Sequence, residues 1–300
     1  MIVAENLSVH FRRGLLGPPI KALDGLSLEV GEGDFFALVG QNGAGKSTAM
    51  YCFLGLLHPK SGRLRVMGRV PELGSRLYES VAFLPEEPHY DLYLTVEEAV
   101  RYYAGLYGKS LPPKTIPDVL ERLGLTEFRT LPLAKCSKGM KQKVGIAQCL
   151  IHPATLVFLD EPTRGLDPII VRLFREVLRE IHQRGATIVM NSHVLSEIEM
   201  LANRVAIIEK GRTIAQDTLD NLIRFEQDFY EVAIEANGDV PEWVSVQARQ
   251  GPVVRGVIPA ARLRDFMEIV CQPGWRLLEC SLKKATLEES FIKILREKTP

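Results

Sequence analysis

The sequence carries no net charge, since Lys and Arg together number 37 and so do Asp and Glu. This balance offers no general attraction to nucleic acid or to an anionic membrane surface, although a local charged patch could still supply one. No nucleic acid is expected as a partner. Cysteine is scarce, with five residues and no CxxC pair, which argues against a zinc site or a disulfide framework. The cysteines are expected to be free thiols in a reducing compartment.

Long hydrophobic runs are also missing. Residues 1–6 lack the basic and apolar stretches of a secretory signal. The longest apolar runs, such as 155–159 and 187–190, are far shorter than the ~20 residues that a membrane-spanning helix needs. We therefore expect that the chain does not cross a membrane by itself.

The sequence does contain short apolar runs that alternate with helical patterns, which predicts an α/β fold with a mostly parallel core sheet. Three of these runs are predicted to be buried strands, at residues 35–39, 156–159 and 187–190. Polar residues follow each run at once. Because ligands of open α/β sheets bind at the carboxyl ends of the strands, these residues are candidates for a site.

The character of the sequence changes twice along the chain. Between Pro85 and about Leu150 it becomes helical, and after residues 210–211 it alternates between strand-like and helix-like stretches. Length and pattern together predict a first domain at 1–222 and a small α+β domain at 223–300. The helical subdomain of the first domain is expected at about 87–150.

Residues 40–48 read GQNGAGKST and match the phosphate-binding pattern GxxxxGK(S/T), between a predicted strand and a helical pattern. Glycine lets the backbone turn tightly and aim successive N–H groups at phosphate oxygens. Lys46 is expected on the β- and γ-phosphates, and the Ser47 hydroxyl on Mg²⁺. The predicted nucleotide-binding residues of this loop are Gly40, Asn42, Gly43, Ala44, Gly45, Lys46, Ser47 and Thr48.

Two carboxylates, Asp160 and Glu161, directly follow the apolar run 156–159. Asp160 is expected to hold Mg²⁺ or one of its waters opposite Ser47. Glu161 is suited to polarise the water that attacks the γ-phosphate, which makes it the predicted catalytic base. Alone, the pattern is also typical of a strand that ends in acidic turn residues, and the upstream phosphate loop favours the catalytic interpretation.

Three further segments resemble motifs of the ABC ATPase family. Residues 136–143 (CSKGMKQK) resemble its signature, residues 164–168 (RGLDP) its D-loop, and residues 191–193 (NSH) its switch histidine. With the two motifs above, five motifs occur in the family's order over residues 35–193. The resemblance implies a P-loop NTPase of the ABC ATPase type, with a mostly parallel core sheet, an antiparallel β part and a helical subdomain.

The resemblance also implies a head-to-tail dimer, with an identical or related subunit, that encloses two ATP molecules. Ser137 and the N–H of Gly139 would face the γ-phosphate held by the other subunit, and Asp167 lies in the D-loop. Phe11 occupies the position where the family places an aromatic ring on the adenine. The implied catalytic residues are Glu161, His193 and Lys46, with His193 contacting the γ-phosphate and helping to hold the attacking water.

Three positions depart from the family pattern. Glu86 stands where the family usually has the Q-loop glutamine, and its carboxylate can bind Mg²⁺ but cannot donate an N–H. Lys138 and Met140 replace the usual signature residues. These variants resemble the type-2 ABC exporter class. The implied magnesium ligands are Ser47, Glu86 and Asp160.

The resemblance implies a subunit that binds and hydrolyses ATP and powers an ABC transporter, with export favoured. It would work at the cytoplasmic face of the membrane with an integral-membrane permease on a separate chain. The alternative is a non-transport ABC ATPase that acts on ribosomes or DNA, although such proteins usually carry a long coiled coil or two cassettes. A kinase or GTPase that shares only the phosphate loop is a third possibility, against which the signature and D-loop argue.

Overall fold

The computed structural model describes residues 1–12, 19–106, 111–223, 225–236, 238–284 and 286–298. The chain packs as two compact units, Met1–Leu219 and Asp220–Pro300, each with an apolar core of its own. The division into domains at 1–222 and 223–300 stays a prediction. Among the described residues, no helix has the length and apolar character needed to cross a bilayer. All five cysteines lie within the described ranges and are free thiols.

The first unit combines strands and helices in alternation. Its strands are β1 (Ile2–Arg12), β2 (Pro19–Val30), β3 (Phe35–Val39), β4 (Ser61–Val66), β5 (Val81–Leu84), β6 (Leu156–Asp160), β7 (Thr187–Asn191), β8 (Arg204–Glu209) and β9 (Arg212–Thr218). Its helices are α1 (Lys46–Phe53), α2 (Val96–Leu106), α3 (Thr115–Arg122), α4 (Lys138–Ile151), α5 (Pro168–Gln183) and α6 (Leu195–Leu201), and α7 (Leu219–Leu222) spans the border to the second unit. Short 3₁₀ helices occur at Arg76–Ser80, Thr126–Phe128 and Leu133–Lys135.

The described strands form a main sheet in the order β5-β6-β7-β3-β8-β9. The first five run parallel, and β9 pairs antiparallel with β8. Every residue of β3, β6 and β7 is buried, as expected for parallel strands that helices cover on both faces. The predicted α/β fold with a mostly parallel sheet is confirmed. The structure extends β6 and β7 by one polar residue each, Asp160 and Asn191.

A second, antiparallel sheet has the order β2-β1-β4. One apolar core joins it to α1 and the main sheet, and it includes the fully buried rings of Phe36, Phe53 and Phe158. This packing holds the start of α1 against the carboxyl ends of β3 and β6, which positions the site described below.

Helices α2, α3 and α4 pack together between β5 and β6 in the chain. Thr95 and Glu98 form a capping box at the start of α2. The Thr95 N–H donates to Glu98 Oε2 (2.9 Å) and the Glu98 N–H donates to Thr95 Oγ1 (3.3 Å). Behind this cap, Val96, Ala99 and Val100 are buried, so α2 packs its apolar face into the helical layer.

The second unit is an antiparallel sheet with helices. Its elements are β10 (Phe225–Ala236), β11 (Ser245–Gln250), β12 (Val253–Pro259), a 3₁₀ helix (Ala260–Arg262), α8 (Leu263–Val270), β13 (Trp275–Lys284) and α9 (Leu287–Lys298), with strand order β11-β12-β10-β13. Phe266 and Val270 of α8 join Val232 and Ile234 of β10 in its apolar core. This core is separate from the core of the first unit.

Candidate active site

The loop between β3 and α1 can be built only with glycine at two positions. A Cβ on Gly40 would lie 2.3 Å from the carbonyl oxygen of Ile208, and a Cβ on Gly45 would lie 2.5 Å from that of Ala22. Gly45 also has a φ of +106°, which side chains strongly disfavour. Within the described ranges, no side chain caps the N-terminus of α1, so its N–H groups and dipole are available to an anion.

Lys46 lies under this loop with only 6% of its surface exposed. Its Nζ donates to the carbonyl oxygens of Gly40 (2.8 Å) and Gln41 (3.2 Å). Burial lowers the pKa of Lys46, while the charges of Glu161 and Asp160 act in the opposite direction. A phosphate at the loop would supply the negative charge that this buried cation favours.

Ser47, Asp160 and Asn191 form a compact polar cluster where α1, β6 and β7 meet. Ser47 Oγ donates to Asp160 Oδ1 (3.2 Å), and Asn191 Nδ2 donates to Asp160 Oδ1 (2.6 Å) and Ser47 Oγ (3.1 Å). Asn191 Oδ1 is buried and accepts no hydrogen bond from the residues that the structure describes. Burial raises the pKa of Asp160, although the hydrogen bonds from Ser47 and Asn191 oppose the rise. A buried cluster of oxygens with an unsatisfied acceptor fits Mg²⁺, which prefers oxygen ligands.

Glu161 follows this cluster in a left-handed conformation with φ +45°. Its N–H donates to the carbonyl oxygen of Asn191 (2.8 Å), which extends the β6–β7 ladder by one step. Its Oε2 lies 2.6 Å from His193 Nδ1 and accepts the His193 N–H (3.4 Å). A left-handed glutamate costs about 1–2 kcal/mol, a strain that is typical of functional sites. The structure therefore brings together Glu161 and His193, two of the three predicted catalytic residues.

Comparisons with known proteins agree on one family. The family model described as "ABC transporter" matches residues 23–164. An uncharacterised ABC transporter ATP-binding protein of Nostoc sp. is 33% identical over 306 residues, which cover 99% of this chain and 90% of that protein. The chain belongs to the ABC transporter ATP-binding proteins. As predicted, it is an ATP-binding subunit with ATPase activity.

Two further matches support this assignment. The fluoroquinolones export ATP-binding protein of Mycobacterium tuberculosis is 34% identical over 220 residues, which cover 73% of this chain and 72% of that protein. The solved structure of an ATP-binding subunit of an ABC transporter has 32% identity and a TM-score of 0.66, and covers 74% of this chain and 91% of that one. These relatives favour the transport prediction over the ribosome or DNA alternative. ABC ATP-binding subunits usually dimerise and work with a membrane permease.

The ABC signature begins α4, with Ser137 as its N-cap. Ser137 Oγ accepts the Met140 N–H (3.2 Å), which leaves the Ser137 hydroxyl hydrogen free to donate to another group. Gly139 lies in the first turn, where a Cβ would come within 2.6 Å of Ile170 Cδ1. In the described part of the chain, no hydrogen bond joins Ser137 or Gly139 to the phosphate loop. Their predicted contact with a nucleotide of the other subunit stays a prediction.

Two more predicted nucleotide residues lie outside the cluster. Asp167 caps α5, because its Oδ1 accepts the N–H groups of Ile169 and Ile170, both at 3.0 Å. Phe11 lies on β1 with 44% of its surface exposed, so its ring is accessible for stacking. Neither role is tested by this geometry.

Glu86 forms an ion pair with Arg164, which lies three residues after Glu161 in the segment that resembles the D-loop. It lies close enough to Asp160 to contribute, after burial, to the raised pKa of that carboxyl. The structure thus brings the third predicted magnesium ligand near the Ser47–Asp160–Asn191 cluster but pairs it with an arginine.

Sequence reasoning missed three residues of this site. Asn191 was part of a recognised motif, but only its position at the end of β7 reveals its hydrogen bonds to Ser47 and Asp160. Tyr51 lies one helical turn beyond Ser47, and its pKa is raised by burial and by the nearby Asp160. For Arg164 the sequence does contain one clue. The D-loop segment has an arginine and the Q-loop position has a glutamate, and opposite charges in two motifs of one site favour an ion pair.

Proposed function

We propose that this chain is the ATP-hydrolysing motor of an ABC exporter and works at the cytoplasmic face of the membrane. The observation that carries the proposal is the convergence of the phosphate loop, the Ser47–Asp160–Asn191 cluster and the strained Glu161 at one edge of the sheet. Export is supported by the name of the Mycobacterium tuberculosis relative and by the departures from the usual signature at Lys138 and Met140.

Each predicted residue of the nucleotide, magnesium and catalytic groups has a proposed role. The loop residues Gly40, Asn42, Gly43, Ala44, Gly45 and Thr48 and the Lys46 ammonium bind the phosphates, and Ser47, Asp160 and Glu86 hold Mg²⁺. A magnesium ion held by these residues would supply positive charge that offsets the negative charge of the nucleotide phosphates. Glu161 Oε2 accepts a proton from the attacking water, and His193 orients that carboxylate through Nδ1 while its exposed ring faces the γ-phosphate.

We propose that a second ATPase subunit, identical or related, completes the pocket. Ser137 and the Gly139 N–H bind the γ-phosphate of the other subunit, Asp167 contributes to the nucleotide pocket from the D-loop, and Phe11 stacks on the adenine. Donors arranged in advance around a transition state typically contribute about 3–4 kcal/mol each. The Ser137 hydroxyl hydrogen and the first-turn N–H groups of α4 that the Ser137 cap does not bind support this assignment.

The proposed permease docks in an apolar groove near the Q-loop. The groove has a volume of about 430 Å³ and is lined by Leu54, Tyr78, Phe83, Pro85, Pro88 and Tyr90, among others. Four of them, Phe83, Pro85, Pro88 and Tyr90, flank Glu86 in sequence, so a partner held there would sense the loop that carries Glu86. A concave, mainly apolar surface of this kind suits a helix of a partner protein.

The test is the substitution Glu161→Gln, which keeps the size and the hydrogen bond to His193 but cannot accept the proton. We expect ATP binding to persist while hydrolysis falls by about 10²–10⁴-fold, and the variant to accumulate as an ATP-bound dimer. Nucleotide binding, phosphate release and light scattering measure these three quantities.

The matched control is Glu176→Gln, because Glu176 is an exposed residue of α5 paired with Arg172. The control should hydrolyse ATP at the parent rate. Parent-like hydrolysis by Glu161→Gln would remove Glu161 from the role of base, and a failure of the parent to bind ATP would refute the proposed function itself.

A further inference from the structure

The Glu86–Arg164 ion pair connects two loops that leave neighbouring strands of the main sheet. Glu86 lies two residues beyond β5 and Arg164 four residues beyond β6, and these strands pair in parallel. Arg164 Nη1 donates to Glu86 Oε1. The Arg164 N–H also donates to the carbonyl oxygen of Glu161 (3.2 Å). The guanidinium therefore belongs to the turn that begins at the proposed catalytic base.

This pair lies in a concentration of negative charge. Burial is the main cause of the raised pKa of Asp160, and the charges of Glu161 and Glu86 raise it further. The Arg164 cation offsets the charge of Glu86. A magnesium ion brings two positive charges to the same carboxylates, so it repels a guanidinium that stays on Glu86.

The Glu86–Arg164 ion pair can be broken at a low cost in free energy. The side chains of Arg164 and Glu86 remain 56% and 36% exposed, and ion pairs this accessible to water contribute little to stability. Two cations that bind one carboxylate in alternative arrangements oppose each other, and the coupling is reciprocal. Holding Glu86 on Arg164 therefore weakens metal binding, and metal binding loosens the pair.

We propose that Arg164 competes with the metal ion of the bound nucleotide for the Glu86 carboxylate. Arg164 is then a positioning residue that sets the metal affinity of this chain. Breaking the pair separates the loop that flanks the apolar groove, residues 85–90, from the loop that follows the catalytic base. This inference rests on the proposed function, since it takes Glu86 as a magnesium ligand.

The test measures metal binding instead of turnover. Mn²⁺ is titrated into the full chain in the presence of β,γ-imido-ATP, which is not hydrolysed, and free Mn²⁺ is followed by electron paramagnetic resonance. Arg164→Met should bind Mn²⁺ about 2- to 5-fold more tightly than the parent, the range expected for losing an exposed ion pair. Arg164→Lys, which keeps the charge, should stay close to the parent.

Two further comparisons make the test specific. In a Glu86→Gln background, Arg164→Met should no longer tighten Mn²⁺ binding, because the competition acts through that carboxylate. Arg172→Met removes an arginine that pairs with Glu176 along α5 (3.3 Å) and should leave Mn²⁺ affinity unchanged.

Unchanged or weaker Mn²⁺ binding in Arg164→Met, with a parent that binds the nucleotide complex, overturns the competition and leaves the proposed function intact. If Arg164→Met still tightens Mn²⁺ binding in the Glu86→Gln background, the competition is also overturned. The effect would then come from removing a positive charge near the site and not from the Glu86 carboxylate. A parent that binds no metal-nucleotide refutes the proposed function instead.

Discussion

Asp160 is 2% exposed at the end of β6, and burial raises the pKa of its carboxyl. A raised pKa in the folded state means that folding favours the neutral form of this acid. The ionised form therefore costs stability once the pH exceeds the value of the unfolded chain, about 4. A residue that the proposed metal site needs in charged form thus opposes folding when no cation is bound.

We predict that Asp160→Asn melts at a higher temperature than the parent at neutral pH without nucleotide. An asparagine oxygen can still accept hydrogen bonds from Ser47 and Asn191, and the buried charge is gone. A gain on the order of 1 kcal/mol corresponds to roughly 2–4 °C for a unit of this size. The same variant should lose affinity for magnesium-nucleotide. Thermal unfolding over a pH series measures the first effect, and the gap should close on acidification toward the unfolded pKa.

Asp24→Asn provides a control of opposite sign. Hydrogen bonds from Arg212 and then Lys21 lower the pKa of Asp24, so its ionised form stabilises the fold above the unfolded pKa, and that contribution is lost as pH falls through the folded pKa. This variant should melt below the parent at neutral pH. If Asp160→Asn also melts at or below the temperature of the parent at neutral pH, the buried charge of Asp160 does not lower the free energy of unfolding.

Individual residues of the site differ in how far the sequence could predict them. Lys46 and Ser47 follow from a contiguous pattern whose spacing carries the chemistry. The Glu86–Arg164 pair joins residues 78 positions apart, and no local period links them. The left-handed conformation of Glu161 was equally hidden, because it depends on the backbone hydrogen bond to β7 and not on any preference of glutamate.

Two helices of the first unit begin with equivalent hydroxyl caps, and only one cap belongs to the proposed site. Ser137 Oγ accepts the Met140 N–H at 3.2 Å in α4, and Thr95 Oγ1 accepts the Glu98 N–H at 3.3 Å in α2. Removing either cap should cost about 1 kcal/mol of stability. The proposed function adds a second task for Ser137 alone.

We predict that Ser137→Ala weakens ATP-dependent dimerisation while Thr95→Ala does not, although both lose similar stability. The physical reason is that Ser137 also donates its hydroxyl hydrogen to the nucleotide of the other subunit. Size-exclusion chromatography with light scattering, in the Glu161→Gln background with ATP, measures dimerisation. Equal dimerisation by the two variants would mean that Ser137 only caps its helix.

Element boundaries were the most predictable level of this fold. The predicted strand at 35–39 has the bounds of β3, and the other two predicted strands fall one residue short of β6 and β7. The missing residues are Asp160 and Asn191, because an apolar run stops at the first polar side chain even where the backbone ladder continues. Strand order was beyond reach, since β3 lies between β7 and β8 although it precedes both by more than 140 residues.

At the scale of the whole molecule, the two units carry different spectroscopic reporters. The chain has two tryptophans, Trp243 and Trp275, and both belong to the unit Asp220–Pro300. Trp243 contacts Phe266 edge-on with ring centroids 6.4 Å apart, and both tryptophans pack against that unit's core. Every residue of the proposed nucleotide site lies in Met1–Leu219. Tryptophan fluorescence therefore reports on the unit that does not hold the site.

We predict that nucleotide stabilises one unit and leaves the other unchanged. Magnesium with β,γ-imido-ATP at about 100 times its Kd should add about 2.7 kcal/mol to the unfolding free energy of the unit that binds it. In a urea titration, the main circular dichroism transition should move to higher urea while the tryptophan transition stays in place. Lys46→Met, which lacks the phosphate-binding ammonium, should not show the shift of the circular dichroism transition. We expect the two units to unfold in separate transitions, because each unit buries its own apolar core. If nucleotide also shifts the tryptophan transition, the two units unfold as one cooperative block, and the prediction is wrong.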